Sequence, residues 1–211
     1  TRNLSRNPIT TAFDRGWPLI KLSKPIGADD SAGKRPIETG WPTKPGMTEA
    51  EAREAVEQGY NVGLITGERA GRLFVVDIDG DIPDGDLPTT PTVRSGGGGL
   101  HLYYHLPEGV DIKAPNKVGV VAPGVDIRYT GGQIVYPGST HAKTGAEYEW
   151  EDGLSPDDVP TADVPQWVID RLHELEAERT QTAPTQAPKA VTVSAPASRG
   201  YVQTALDGAA A

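Results

Sequence analysis

The sequence predicts an α/β (α+β) fold with a mixed, largely antiparallel central sheet and helices packed outside it. Short apolar runs rich in β-branched residues recur along the chain between Gly- and Pro-rich turns, which is typical of strands. Helical signals occur in only three segments. The chain has 211 residues, 36% of them hydrophobic, with 25 Gly and 19 Pro. This length and composition suit one sizeable domain with a tail.

The sheet is expected to centre on residues 73–78, where an apolar run leads straight into Asp77 and Asp79. Side chains alternate along a strand, so the two carboxylates project from one side and Ile78 from the other. Neighbouring carboxylates repel unless a cation lies between them, and hard oxygen ligands suit Mg²⁺ or Mn²⁺. The alternative is an ordinary strand end that runs into an acidic loop.

The chain before this strand is predicted to form two helices and two strands. A capping box of Thr48 and Glu51 begins the second helix. The helices are expected at residues 5–15 and 48–58, and the strands at residues 17–22 and 61–66. Because only a short turn separates residues 61–66 from the central strand, these two strands are predicted to form an antiparallel hairpin.

A loop rich in Gly, Pro and charge lies between the first strand and the second helix. Its adjacent bases, Lys34 and Arg35, could hold a phosphate, Arg through a bidentate fork and Lys as a point charge. From these residues alone, a solvated loop is an equally good interpretation.

Four consecutive glycines, residues 96–99, come directly before a strand that begins at Leu100. Glycine lets the backbone approach a ligand and present N–H groups to anionic oxygens. No helix pattern follows and no Lys-Ser/Thr closes the loop, so it is neither a dinucleotide fingerprint nor a Walker loop. His101 shares a strand face with Tyr103 and His105, and its position after this loop favours a ligand role over a structural one.

The second half of the chain is expected to begin with a loop over residues 107–124. Strands at 124–129 and 133–136 follow, joined by a hairpin turn at Gly131 and Gly132. Asp126 and Arg128 share a face of the first of these strands. They are either a weak ion pair or a third metal-binding carboxylate beside a phosphate or base contact. A short strand at 148–150 and a helix at 165–179 complete the pattern.

Three segments are expected along the chain: a catalytic domain, a linker and the start of a truncated further domain. Residues 180–199 consist mainly of Thr, Ala, Pro and Gln, a composition that cannot bury a core. A new apolar pattern begins at Tyr201. The boundaries are therefore predicted at residues 1–179, 180–199 and 200–211.

Composition excludes several classes of function. There is no Cys, which rules out disulfides, thiolate nucleophiles and Cys-ligated zinc, and suits a cytoplasmic protein. No apolar run is long enough to span a membrane. The net charge of −9 is concentrated in residues 151–179, so the remainder is close to neutral. Tight sequence-independent binding of nucleic acid by this chain alone is not expected.

Three motifs in order resemble the archaeo-eukaryotic primase superfamily, and within it the bifunctional primase/polymerase domains of phage and plasmid replication proteins. A strand ends in Asp-x-Asp, Ser-Gly-Gly-Gly-Gly-Leu-His opens the next strand, and a later strand carries Asp. The likeness covers most of residues 15–150. It includes Gly33-Lys34-Arg35-Pro36 with Trp41, Asn61-Val62-Gly63-Leu64, and Tyr136-Pro137-Gly138-Ser139.

The sequence departs from the family pattern at two points. The family frequently has Ser two places before the histidine, but Gly99 stands there, so any hydroxyl contact must come from Ser95. Many primases of the superfamily also carry a zinc-binding module, which a chain without Cys cannot build from thiolates.

The resemblance implies an RRM-like catalytic core without a zinc module, and it implies a role for each matching residue. Asp77, Asp79 and Asp126 would hold two divalent ions, Mg²⁺ or Mn²⁺, and His101 would contact the triphosphate of the incoming nucleotide. Weaker expectations concern further contacts to nucleotide or template, from Ser95, Gly98, Arg128, Ser139, Lys34 and Arg35.

The implied function is that of a DNA primase and DNA polymerase that uses NTP or dNTP on a single-stranded DNA template and primer. A C-terminal helicase or primase-accessory domain of the same longer chain is the expected partner, and no membrane is involved. One alternative is a non-catalytic module that binds single-stranded DNA or nucleotides for a replicative helicase. A metal-dependent phosphoesterase ranks third.

Overall fold

The computed structural model describes residues 6–112 and 117–182, and within these ranges the chain forms two antiparallel sheets flanked by helices. The α-helices are α1 (Pro8–Asp14), α2 (Glu49–Glu57) and α3 (Gln166–Thr182), and Glu68–Ala70 form a 3-10 helix. The strands are β1 (Leu19–Lys21), β2 (Val62–Ile65), β3 (Leu73–Ile78), β4 (Thr92–Arg94), β5 (Leu100–His105), β6 (Lys117–Ala122), β7 (Val125–Arg128), β8 (Gln133–Val135) and β9 (Glu149–Trp150).

The larger sheet has six strands in the order β6-β7-β3-β5-β4-β9, with antiparallel pairing between all neighbours. Strand β3 lies inside it, between β5 and β7, and every one of its residues is buried. The predicted mixed α/β class with a largely antiparallel sheet around the Asp77 strand is confirmed. The smaller sheet, β1-β2-β8, is a second sheet that the sequence did not predict.

The hairpin predicted between β2 and β3 is wrong. Strand β2 pairs with β1 and β8, whereas β3 belongs to the larger sheet. The connection passes through the 3-10 helix, and Gly67 and Gly71 lie at its two ends with φ of 87° and 68°. A Cβ on Gly67 would lie 2.4 Å from the Thr130 Cα. The glycine conformations and this contact direct the chain out of one sheet and into the other.

The hairpin predicted around Gly131 and Gly132 is also wrong, because β7 and β8 belong to different sheets. The two crossings lie side by side. The Thr66 hydroxyl donates to the Tyr129 carbonyl (2.6 Å), and the Thr66 N–H donates to the Gly132 carbonyl (3.1 Å). These bonds satisfy buried backbone acceptors where the chain leaves each sheet.

Part of the loop predicted over residues 107–124 is instead strand β6, which pairs with β7 through an irregular register. The segment from Val118 to Ala122 contains three valines, a residue type that favours strands, which explains why it can extend the sheet. A sheet edge offers unpaired N–H and C=O groups to such a segment.

The two faces of the larger sheet are buried in different hydrophobic clusters. Val75 and Tyr103 belong to a cluster that also contains Leu19 and Leu64 of the smaller sheet. On the opposite face, β3 contributes Phe74, Val76 and Ile78 to a cluster with Val168 and Leu172 of α3. Strand alternation therefore puts Asp77 on the face that points toward the smaller sheet.

Helix α3 ends at Thr182, slightly inside the segment predicted as a linker from residue 180. The remainder of that linker, and the further domain expected from residue 200, lie outside the described residues. None of the helices in residues 6–112 and 117–182 has the length and apolarity needed to cross a membrane.

Candidate active site

A row of three polar side chains crosses the middle of the larger sheet. Asp77 of β3 lies directly opposite His101 of β5 on one side and Asp126 of β7 on the other. Directly opposed residues of antiparallel strands project from the same face, so strand pairing alone brings these three side chains together. Asp79 follows the end of β3, where its N–H donates to the Gly124 carbonyl (2.8 Å).

The row opens into a cavity of about 330 Å³ between the two sheets. One group of lining residues, which we call the acidic wall, consists of Asp77, Asp79 and Asp126. A second group, the loop wall, consists of Lys34, Ser95, Gly97 and His141. The remaining lining residues are His101, Arg128, Gln133, Ile134, Val135 and Tyr148.

A negative charge on Asp77 of the acidic wall is energetically disfavoured. Burial raises the pKa of its carboxyl from 3.8 to about 7, with Asp79 and Asp126 adding to the rise and Arg128 opposing it. Only 8% of the residue is exposed. A carboxylate held in this way is stabilised by any cation that enters the cavity.

Arg128 brings a positive charge into contact with the acidic wall. Its guanidinium donates to Asp126 Oδ2 at 2.9 Å and lies 3.7 Å from Asp77 Oδ2. The arginine shares a strand face with Asp126, as predicted, and both line the cavity. The predicted ion pair between Asp126 and Arg128 is therefore formed, and the arginine also lies near the carboxylate of Asp77.

His101 is 4% exposed, and its ring lies in the row beside Asp77. Burial, together with the charges of Arg128 and Lys34, lowers the pKa of the ring to about 3. The ring is therefore neutral, and its 3.5 Å contact from Nε2 to Asp77 Oδ1 is a contact with a neutral imidazole and not an ion pair.

The glycine loop is folded on itself by hydrogen bonds. Ser95 N–H donates to the Gly99 carbonyl (2.8 Å), Gly98 N–H donates to the Ser95 carbonyl (2.9 Å), and Gly99 N–H donates to Ser95 Oγ (3.0 Å). The amides of Gly98 and Gly99 are thus engaged within the loop. The cavity is lined by Gly97 and by the buried Ser95.

Gly99 has no space for a side chain. A Cβ at this position would lie 2.6 Å from the Ile78 carbonyl oxygen and 2.7 Å from Asp79 Oδ1. The serine that is frequent in the family at this place could not be accommodated without moving Asp79. The hydroxyl that faces the cavity comes from Ser95 instead.

Sequence reasoning missed three polar side chains of the cavity: His141, Tyr148 and Gln133. The Tyr148 ring lies between the two histidines, with centroids 5.7 Å from His101 and 6.2 Å from His141. Burial, Asp77 and Asp79 raise the pKa of its hydroxyl to about 12. The position of His141, two residues after the Tyr-Pro-Gly-Ser segment, was the one available signal.

The structure brings together most of the predicted site residues, but not all of them. Lys34 lines the cavity, whereas its neighbour Arg35 is exposed and pairs with Asp29 at 3.1 Å. Ser139 is 1% exposed, and its hydroxyl donates to the Val62 carbonyl (3.1 Å) and accepts from the Val62 N–H (3.0 Å). Its place is structural, away from the cavity lining. Gly98 is likewise not a lining residue.

The chemistry of the acidic wall fits a divalent cation by donor type and by charge. Three carboxylates line one cavity, and two of them raise the pKa of the third. Hard oxygens of this kind are the ligands of Mg²⁺ and Mn²⁺. Across the described ranges, no group of three or more His, Cys, Asp or Glu could hold a metal ion as it stands.

Residues 10–167 match the family described as "Bifunctional DNA primase/polymerase, N-terminal" (Prim-Pol). The chain belongs to this family. The matched range contains every residue that lines the cavity. Membership places this Prim-Pol domain among the primase/polymerase enzymes, which are nucleotidyltransferases.

Comparison with solved structures finds the AEP domain (PP-N190) of the primase-polymerase (PrimPol) of cyanophage S-2L. The match has a TM-score of 0.41 and 14% identity, and it covers 78% of this chain and 96% of that one. No curated protein sequence matches the chain significantly. The assignment to the family rests on the Prim-Pol match.

Proposed function

We propose that this Prim-Pol domain catalyses template-directed nucleotidyl transfer, both starting and extending strands, in the replication of a phage or plasmid. The observation that carries the proposal is the Asp126–Asp77–His101 row, with Asp79 beside it, on a cavity that Lys34 also lines. Carboxylates on one wall and a cation on the other suit a metal-bound triphosphate.

In the proposed reaction, a 3′-hydroxyl attacks the α-phosphate of a bound NTP or dNTP and pyrophosphate leaves. Asp77, Asp79 and Asp126 would hold two divalent ions, Mg²⁺ or Mn²⁺. When bound, such ions lower the pKa of the attacking hydroxyl and neutralise charge on the leaving group.

The other cavity residues position the nucleotide. Lys34 and Arg128 contribute positive charge toward the phosphates, and Ser95 contributes a hydroxyl. Neutral His101 contacts the triphosphate as a hydrogen-bond partner and not as a charge. The partners in this proposal are a single-stranded DNA template and primer, and a helicase or primase-accessory domain that follows in a longer chain.

The test is a primer-extension and de novo synthesis assay with labelled nucleotides and Mn²⁺. We expect Asp77→Ala, Asp79→Ala and Asp126→Ala each to reduce incorporation by about 10³-fold or more, because preorganised charge contributes this much to such reactions. Exposed acids of the following loop give matched controls, so Asp81→Ala and Asp84→Ala should retain activity. Circular dichroism and melting temperature check that each variant folds. Wild-type activity in the cavity variants rejects the proposal.

A non-catalytic module that binds nucleotides or single-stranded DNA is the second candidate. It is favoured by the ion pair of Arg128 with Asp126, which satisfies part of the acidic wall without a metal. This candidate predicts nucleotide binding that does not depend on divalent ions, together with no incorporation under any condition. Metal-dependent incorporation that is lost in Asp77→Ala rejects it.

A further inference from the structure

We propose that His141 is a second histidine that contacts the nucleotide's triphosphate, and that Thr144 positions it. The inference rests on the proposed function and deepens it by assigning a residue to the loop wall. His141 reaches the cavity from residues 140–147, between β8 and β9, whereas His101 lies on β5.

Hydrogen-bond geometry determines which ring nitrogen of His141 carries the proton. The Thr144 hydroxyl lies 2.7 Å from the Gly96 carbonyl, which can only accept, so the hydroxyl proton points to Gly96. The hydroxyl oxygen must therefore accept from its other partners, the Ala146 N–H (3.2 Å) and His141 Nδ1 (3.0 Å). Nδ1 is accordingly the protonated nitrogen, and Nε2 is left for a ligand.

The ring is directed toward the glycine loop. A Cβ on Gly97 would lie 3.4 Å from His141 Nε2, and one on Gly96 would lie 2.4 Å from the His141 Cβ. The backbone of this loop is fixed as well, because the His141 N–H donates to the Ala146 carbonyl (2.8 Å) and the Gly145 N–H to the His141 carbonyl (2.9 Å). The absence of side chains at Gly96 and Gly97 therefore leaves room for His141 beside the loop.

The charged groups that act on His141 are Lys34, Lys143 and Asp79. Lys143 is itself paired with Asp30. Burial and the two lysines lower the pKa of the ring, and Asp79 opposes them, so the ring is neutral in the free protein. An arriving triphosphate offsets the lysine charges and adds its own. The ring then gains a proton from solvent at Nε2, which donates to a phosphate oxygen.

The experiment measures the Kd of dATP and ATP with Mg²⁺, without template or primer, by isothermal titration calorimetry. His141→Ala should weaken binding about tenfold, as expected for a charge-assisted hydrogen bond. Thr144→Val should weaken it about threefold, because the ring is less well placed. In the double variant, Thr144→Val should add nothing further. Matched controls are His173→Ala and Thr43→Val, on exposed sites with similar hydrogen bonds to backbone carbonyls.

A pH series separates positioning from packing. The wild-type Kd should tighten as pH falls from about 8 to 6, the range in which histidines titrate. His141→Gln, which keeps a polar side chain, should lose that tightening even if it folds better than the alanine variant. In steady-state assays, KM should rise while kcat changes little. The inference is overturned if both His141 variants bind nucleotide with the Kd and the pH dependence of the wild type. It is also overturned if Thr144→Val weakens binding just as much when His141 has been replaced.

Two outcomes distinguish this inference from the proposed function. If the wild type makes product while His141 variants keep their Kd and KM, the inference fails and the function stands. If the wild type binds nucleotide through His141 but makes no product, the inference stands and the catalytic proposal fails.

Discussion

The two walls of the cavity are built in different ways. The acidic wall is held largely by strand pairing, since Asp77 and Asp126 face each other on β3 and β7, and Asp79 follows at the end of β3. The loop wall is formed by three separate loops: the loop that carries Lys34, the glycine loop, and the loop that carries His141. Paired strands position their side chains through a repeating series of backbone hydrogen bonds. The loops, in contrast, depend on individual side-chain and backbone contacts.

The walls also differ in charge. On the acidic wall, burial and the neighbouring charges of Asp79 and Asp126 raise the pKa of Asp77, so a negative charge on Asp77 is disfavoured. On the loop wall, burial and the charges of Lys34 and of the nearby Lys143 lower the pKa of His141. Each wall is therefore relieved by a ligand of opposite sign: a cation for the carboxylates and an anion for the lysines. A metal-bound triphosphate carries both.

The largest expected effect concerns the strain on Asp77. Its pKa is about 7 in the folded protein against an ordinary value of 3.8, so the folded state binds this proton more tightly. The metal-free protein should therefore lose stability as pH rises from about 4 through about 7, by up to about 4 kcal/mol from this group. Asp77→Asn should remove that loss, so that the variant is the more stable protein at pH 8.

Urea unfolding in EDTA at pH 5 and pH 8 provides the measurement, with Asp84→Asn as the control. Asp84 is an exposed acid of the loop that follows β3, so its substitution should leave the pH dependence of stability intact. Adding Mn²⁺ at pH 8 should stabilise the wild type more than Asp77→Asn. Equal pH dependence in wild type and Asp77→Asn would show that the acidic wall is not strained.

The difference between the walls also explains what the sequence could and could not predict. Apolar runs, strand alternation and the Asp-x-Asp spacing were enough for the fold class and for Asp77 and Asp79, because both follow from local periodicity. The assignment of Asp126 to the same site came from the resemblance to the family. The two-sheet arrangement was missed, since it depends on the pairing of β2 with β1 and β8, which are distant from it in sequence. A hairpin is the expectation when only neighbouring residues are considered.

His141 and Ser139 illustrate the same limit within the site. His141 reaches the cavity because Gly96 leaves room for it, a contact between loops that no local pattern encodes. Ser139 looked like a nucleotide contact in the sequence, but the structure commits its hydroxyl to both backbone groups of Val62. A polar residue beside a motif can serve the backbone as readily as the ligand.

Gly96→Ala tests the loop wall. The new methyl group would lie 2.4 Å from the His141 Cβ and 2.5 Å from the Ala146 carbonyl oxygen, so the two loops must separate. We expect nucleotide KM to rise by roughly 30-fold, the effect of losing an anchored contact together with some loop order. Gly80→Ala is the matched control, because that position has open space and no left-handed φ. A Gly96→Ala enzyme with the wild-type KM would show that the glycine loop and His141 act separately.

The smallest expected effect separates two neighbours that the sequence treated as a pair. Lys34→Ala should raise nucleotide KM about tenfold, since its ammonium lines the cavity and can form a charge-assisted contact with phosphate. Arg35→Ala should change KM less than about twofold, because its exposed guanidinium pairs with Asp29 and such surface pairs contribute little. Steady-state kinetics on both variants, with melting temperatures as the folding control, measure the difference. Equal KM values would mean that both bases, or neither, reach the nucleotide, and the loop wall would then have to be redrawn around residues 34 and 35.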